Sequence, residues 1–335
     1  PRPGFSAAVG RPDQRTGVGA GVWMEGPRRR GSATPPVTSS RAMTAADRQW
    51  QLNRRNFAGR WCGTSHWYLR QPSAEGSAAA ADDVVLDDSA LDLSSPSRVI
   101  AETCYAISFS DADNGLWDGS GLLFAPGGRR RLPLSRQTYN RGGQCWQFAG
   151  AGGQSSLTVD PGEPRWGHEI NLFAGRSRSM LVLLWGRRDG PAGDGAGAAG
   201  CRWRLDAVGA VGFRCSLSEP PDPPRAHSDD AMDLLEQQRG WPGRLEILEA
   251  GAGPADPVAA EICAPFSPEA FALHPHTAGF SDGLVCSVPE WLPDAAFSLQ
   301  VGCRTAPDAF QQLSLHCDAN GVLRRWERRR FSRGD

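Results

Sequence analysis

Turn residues punctuate this chain so often that almost no long helix fits between them. The clusters DADNG (111–115), APGG (125–128), NRGG (140–143), GAGG (150–153) and DPGEP (160–164) recur at strand-length intervals. Between such clusters lie short runs rich in β-branched and aromatic residues, including RWCGTSHWYLR (60–70), SRVIAETCYAISFS (97–110), SMLVLLWGR (179–187) and CRWRLDAVGAVGFRCSL (201–217). Many short strands separated by turn chemistry predict an antiparallel all-β barrel or sandwich, because parallel βαβ units need a helix-sized crossover after each strand.

Two segments break this rhythm, and each precedes the same signal. TAADRQWQLNRRNF (44–57) reads as a helix and leads into Gly59-x-Trp61-x-Gly63. DDAMDLLEQQRGWPGRLEILE (229–249) reads as a shorter helix followed by Trp241-x-Gly243, with Gly240 directly before the tryptophan. A strand entering a barrel wall after a closing helix must turn sharply, which Gly59 permits, while Gly63 allows close backbone approach. Trp61 is then expected to plug the barrel end.

The restart predicts two units. SEPPDPPRAHSDD (218–230) is proline-dense enough to act as a stiff linker. The expected organisation is a leader over 1–43, a first barrel over 44–217, the linker over 218–230, and a smaller barrel over 231–335, with the linker separating two cores. RDGPAGDGAGAAG (188–200) reads as a low-complexity loop. The leader is rich in Arg, Ser, Gly and Pro and holds only Asp13 and Glu25 as acids, which fits either a plain tail or a transit remnant.

GHEINLFAGRSRSMLVLLWG (167–186) and LVCSVPEWLPDAAFSLQVGCRTAPDAFQQLSLHCDANGVLRRWERRRF (284–331), together with NFAGRWCGT (56–64), resemble a two-domain, lipocalin-like (calycin) family of cyanobacteria and plastids whose function is unknown. More distantly, the chain is similar to the calycin-type lyases that attach bilins to phycobiliproteins. The resemblance implies two calycin-like antiparallel barrels, each preceded by a short helix, and an arginine from a late strand stacked over the barrel-end tryptophan: Arg204 or Arg214 for Trp61, and Arg324 and Arg325 for the second barrel's Trp241. It also implies a plastid setting, in the stroma or peripheral to the thylakoid, but brings no catalytic signature.

Composition removes several chemistries. All 36 Lys+Arg residues are arginine, so a P-loop lysine, a Schiff-base lysine and a lysine general base are excluded. The net charge of −1 gives no reason to expect nucleic acid. No apolar run reaches the ~18 residues of a membrane span. The nine cysteines are dispersed without a CxxC pair, which predicts neither a disulfide framework nor a zinc site, but buried thiols in a reducing compartment.

The candidate ligand site is the hairpin around His168, Glu169, Arg176 and Arg178, with Trp146 and Trp185 below it and Trp117 and Trp166 as further lining. Arg176 and Arg178 would hold an acidic head group bidentately; the plainer readings are a charged hairpin and a barrel filled by its own aromatics. HPH (274–276) lacks ligand partners at metal spacing, and no metal site is expected. Nothing supports nucleophilic pairing of His316 with Cys317, or of Cys104 with a histidine. The arginine-rich stretch 324–333 reads as a solvated strand face. The expected function is non-enzymatic binding or presentation of a small hydrophobic molecule, namely a tetrapyrrole, a carotenoid or a lipid. The alternatives are a bilin-lyase-like attachment factor and an assembly subunit on a photosynthetic protein complex.

Overall fold

The computed structural model describes residues 42–70, 91–121, 131–188, 202–216, 225, 230–251 and 253–334. The expected leader up to residue 41, the loop at 189–200 and most of the linker at 218–230 lie outside the described residues.

Helix α1 (Ala45–Phe57) leads into β1 (Gly59–Leu69), β2 (Arg98–Phe109), β3 (Asn114–Asp118), β4 (Arg131–Ser135), β5 (Cys145–Phe148), β6 (Ala151–Ser155), β7 (Arg165–Ala174), β8 (Ser177–Arg188) and β9 (Arg202–Cys215). The second half holds α2 (Ala231–Glu236), β10 (Gly243–Glu249), β11 (Val258–Cys263), α3 (Pro268–Phe271), β12 (His276–Gly279), β13 (Leu284–Val288), β14 (Phe297–Ala306), β15 (Ala309–Cys317) and β16 (Leu323–Ser332). The fold is all-β, with two antiparallel sheets each preceded by a short helix. Their strand orders are β4-β3-β2-β1-β9-β8-β7-β6-β5 and β11-β10-β16-β15-β14-β13-β12. Both follow one rule: the first strand of each half pairs with its last. Among the described residues one seam in each, β4/β5 and β11/β12, carries no ladder.

Local chemistry sets the first strand's entry. Thr44 caps α1 in a reciprocal box: its hydroxyl accepts from Asp47 N (3.2 Å), and the Asp47 carboxylate accepts from Thr44 N (3.1 Å). Gly59 takes φ +136°, where a side chain would strike the Arg176 guanidinium and the Cys215 thiol. A Cβ on Gly63 would strike the carbonyl of Gly212 on β9.

Strand alternation gives the first sheet two apolar faces. On β8, Met180 and Val182 join the inner cluster around Trp61, Tyr105 and Phe213. Leu181, Leu183 and Trp185 point the other way and join a cluster that includes Leu284, Val301, Leu315 and Trp326 of the second sheet. The expected separation of the two cores is therefore corrected, since one apolar cluster runs through both sheets. Backbone bonds stitch the same boundary: Leu205 N donates to Glu290 O (2.7 Å), Leu292 N to Trp203 O (3.0 Å) and Leu323 N to Leu157 O (2.8 Å). Buried Asp282, on a short turn ahead of β13, accepts from Ser179 and pairs with Arg214, both of the first sheet. It also accepts from the backbone of Arg225, a linker residue (3.0 Å).

One cysteine expectation is overturned. Cys62 and Cys104 stand directly opposite each other on β1 and β2 and form a disulfide. Their separation of 42 residues has no sequence signature, because the pairing comes from strand register. Cys286, Cys303 and Cys317 are buried free thiols on the shared inter-sheet core. Burial pushes the Cys286 and Cys317 thiols up to about 12.

Candidate functional site

The residues expected to converge on one pocket lie on opposite faces of the first sheet. Arg178 points inward. It is fully buried among the rings of Phe213, Tyr105, Trp61 and Phe57, at 4.3, 4.7, 4.9 and 5.5 Å from their centroids. Its Nη1 donates to the Tyr105 hydroxyl. Burial drives its pKa well below the usual arginine range, with the Cys215 thiol opposing that shift. Arg176 lies 4.9 Å from the Trp61 ring and donates to Ala58 O (2.7 Å). These two arginines therefore flank Trp61 at the closed end of the sheet, the place expected for Arg204 or Arg214. Arg214 instead pairs with Asp282, while Arg204 pairs with Glu290 (2.7 Å) and stacks on Trp291 (4.9 Å). Trp61 is itself fully buried, and its indole N–H donates to Phe57 O (2.8 Å).

His168, Trp146 and Trp185 point to the other face, into the boundary between the sheets. Trp146 stacks on Trp326 at 5.9 Å, and both indole N–H groups donate to Ser155 Oγ (3.1 and 3.2 Å). Trp185 donates to Pro289 O (3.1 Å). The fully buried His168 ring sits 4.3 Å from Trp166, with neither nitrogen hydrogen-bonded among the described residues. Burial lowers its pKa to about 3, so the imidazole is neutral at ordinary pH. Glu169 faces inward and accepts from Asn171 (3.0 Å), while Trp117 on β3 packs beside Tyr105 at 6.0 Å. A hairpin tip read from sequence does not show that alternate residues serve two different cores.

The second half departs from its expectation as well. Trp241 and Gly243 lie in a compact cluster with Phe266, Phe310 and Phe331, and no arginine stacks on Trp241 among the described contacts. Arg324 is taken by Asp318 and Arg325 by Glu327, so the arginine-rich strand is largely neutralised by carboxylates. His274 bonds to Ser298 O (2.7 Å) and His276 to Glu290 (3.0 Å). No group of three metal-ligating side chains occurs among the described residues, and none of their helices is long and apolar enough to cross a membrane.

Two cavities lie at the C-terminal end of α1. A shallow groove of about 680 Å³ is lined by Arg54, Arg55 and Arg60 around Ala58, Ile107 and Phe109. A smaller notch of about 200 Å³ adjoins it, lined by Arg55, Asn56, Ala149, Gly150, Phe173 and Gly175. Arg54 and Arg55 occupy the last helical turn, where cations offset the helix dipole. The Gly59 turn then brings Arg60 beside them, opposite Ala106 on β2. The Arg54 guanidinium lies 5.2 Å over the Phe109 ring. No acidic side chain lines the groove, and none of its three arginines forms an ion pair among the described residues. Asn56 fixes the notch: its amide donates to Gln147 Oε1 and Phe148 O (both 2.8 Å) and accepts from Gly150 N (3.2 Å). The Arg-Arg…Gly-x-Trp order contained this signal, but only the turn geometry brings the three guanidiniums together.

No family model matches the chain, and no curated protein matches it. Among solved structures it is similar to a DUF3598-family protein of unknown function from Nostoc punctiforme, with a TM-score of 0.54 and 12% identity over 85% of this chain and 99% of that one. The likeness is one of fold. It bears on the cyanobacterial family of unknown function that the sequence resembles, and its description names neither a lipocalin nor a bilin lyase.

Proposed function

We propose that this chain is a non-enzymatic binding protein for an amphiphilic anion, carried in the groove between α1 and the β1–β2 ladder. The observation that supports this reading is a set of three arginines without carboxylate partners among the described residues, around an apolar floor of Ile107 and Phe109. An acidic head would meet a guanidinium in a charge-assisted bond, and burial of a flat or long apolar body would supply most of the affinity. Tetrapyrroles and acidic lipids or carotenoids have this chemistry. The site differs from the expected one at Arg176 and Arg178, whose guanidiniums are already engaged with Trp61. In this reading the carrier works in the plastid, in the stroma or at the thylakoid periphery, and presents its cargo to a photosynthetic complex. Support for that setting comes from the sequence resemblance and from the cyanobacterial source of the structural neighbour.

Fluorescence titration with biliverdin and a long-chain fatty acid tests the reading. Binding tighter than about 100 μM is expected. The Arg54→Gln/Arg55→Gln/Arg60→Gln triple variant should weaken it about tenfold or more through loss of charge-assisted contacts. Absence of binding in that range, or equal binding by the triple variant, would overturn it.

A further inference from the structure

Two side chains of the second sheet reach across and hold the walls of the notch. Arg328 on β16 is 3% exposed and donates through Nη1 to Ala149 O at 2.6 Å. Gln311 on β15 is 8% exposed, accepts Arg328 Nε and Nη2 on its Oε1 (3.1 and 2.8 Å), and donates its own Nε2 to Phe173 O at 2.8 Å. Glu246 on β10 balances the charge, 3.0 Å from Arg328 Nη1. Ala149 and Phe173 lie on different chain segments, one between β5 and β6 and the other near the end of β7, and both line the notch. Phe173 N closes the ring by donating to Gly150 O (3.0 Å). A Cβ on Gly150 would approach Arg328 Nη2 to 3.2 Å, so the bracket sits directly behind the notch wall.

We infer that the notch is the subsite for the ligand's anionic head, and that Arg328 and Gln311 are positioning residues that set its width from the second sheet. The inference rests on the amphiphile reading above. Among the described residues Arg55 is the one cation that lines both cavities. The notch, of about 200 Å³, has room for a carboxylate or phosphate group, while the larger, apolar-floored groove takes the body. Guanidinium–carboxylate bonds are directional, so displacement of the opposite wall weakens the head contact and leaves contacts along the body unchanged. The arrangement also gives the second sheet a part in a site whose lining belongs wholly to the first half of the chain.

The test compares dodecanoate with 1-dodecanol by calorimetry on the full chain. Wild-type protein should prefer the acid. Arg55→Gln should reduce dodecanoate affinity about tenfold and leave dodecanol unchanged. Gln311→Leu should lower the acid-to-alcohol preference several-fold, again with dodecanol affinity intact. Gln311→Glu, which keeps the Arg328 contact but loses the donor to Phe173 O, supplies the same measurement if the Leu variant does not fold. Equal weakening of both probes would make Gln311 merely structural and overturn the bracket. An unchanged preference in a folded Gln311 variant would overturn it too, while leaving the groove reading standing. If wild-type protein binds dodecanoate but Arg55→Gln is without effect, the head-group assignment falls. Failure of wild-type protein to bind either probe would remove the amphiphile reading itself.

Discussion

The two sheets share one closure rule and fill their inner faces in different ways. Inside the first, rings surround a buried arginine that has no carboxylate partner among the described residues: Trp61, Tyr105, Phe173 and Phe213 enclose Arg178. Inside the second, strand register aligns Thr277, Ser287, Gln300, Ser314 and Glu327 in one row across five strands. Within the row Thr277 donates to Ser287 (3.0 Å) and Ser314 donates to Gln300. Gln300 accepts from Gln312 (2.9 Å), Ser314 accepts from Arg329 (3.0 Å), and Glu327 is held by His316 (3.3 Å) and Arg325 (2.8 Å). Below the row, Phe266, Phe271, Phe310 and Phe331 form an apolar foot. One topology thus tolerates an aromatic interior and a polar one, because the cooperative burial lies on the opposite faces, where the sheets meet.

The largest expected effect tests that meeting face. Trp326→Ala should cost about 3–5 kcal/mol, the usual loss for an emptied large core site, because Trp326 is buried against Trp146 across the boundary. Thermal unfolding should remain a single transition at lower temperature. Two separated transitions in wild-type protein would break the shared-core account and restore independent units.

Covalent pinning is the next contrast. The first sheet carries the Cys62–Cys104 link, while Cys263, Cys286, Cys303 and Cys317 of the second are free thiols. Closing a loop of this size restricts the unfolded chain by about 3–4 kcal/mol on the chain-entropy model. The Cys62→Ser/Cys104→Ser variant should lose an amount of that order in denaturant titration, and wild-type protein under strong reductant should match it. A variant as stable as the oxidised protein would show that the link adds nothing.

These contrasts mark what was legible in the sequence. Turn clusters and the two helix–Trp-x-Gly starts carry the all-β architecture and its repeat, because local chemistry sets both. Trp61 and Gly59 were legible for the same reason: they stand where a helix turns into a strand. The sequence marks Arg178 as a head-group ligand, and its enclosure among rings is not legible there, since its neighbours Phe57, Tyr105 and Phe213 come from three other elements. The disulfide, the Asp282 clasp and the groove at Arg54, Arg55 and Arg60 depend on register or on a turn. Periodicity does not encode that kind of proximity.

The smallest expected effects separate the two halves by pH. His168, in the first sheet, is buried without a hydrogen-bond partner among the described residues, and its pKa falls from 6.5 to about 3. The unfolded chain therefore binds a proton that the folded one refuses, so stability falls as pH drops from about 6.5 towards 3. At pH 4.5 this amounts to about 2–3 kcal/mol. Glu327, in the second sheet, behaves differently. Burial alone would raise its carboxyl, but His316, Arg329 and Arg325 outweigh burial and hold it at about 2, below the usual 4.5. Its contribution is present above pH 4.5 and lost as pH falls through 2. His168→Phe should flatten the stability profile between pH 6.5 and 4. Glu327→Gln should lower stability at pH 7 and flatten the profile only below 4.5. Chemical denaturation at half-unit pH steps distinguishes the two windows. If His168→Phe follows the wild-type slope from pH 6.5 to 4, the acid sensitivity does not originate in the inter-sheet core, and the contrast between an unpaired group in one half and a triply paired group in the other loses its energetic content.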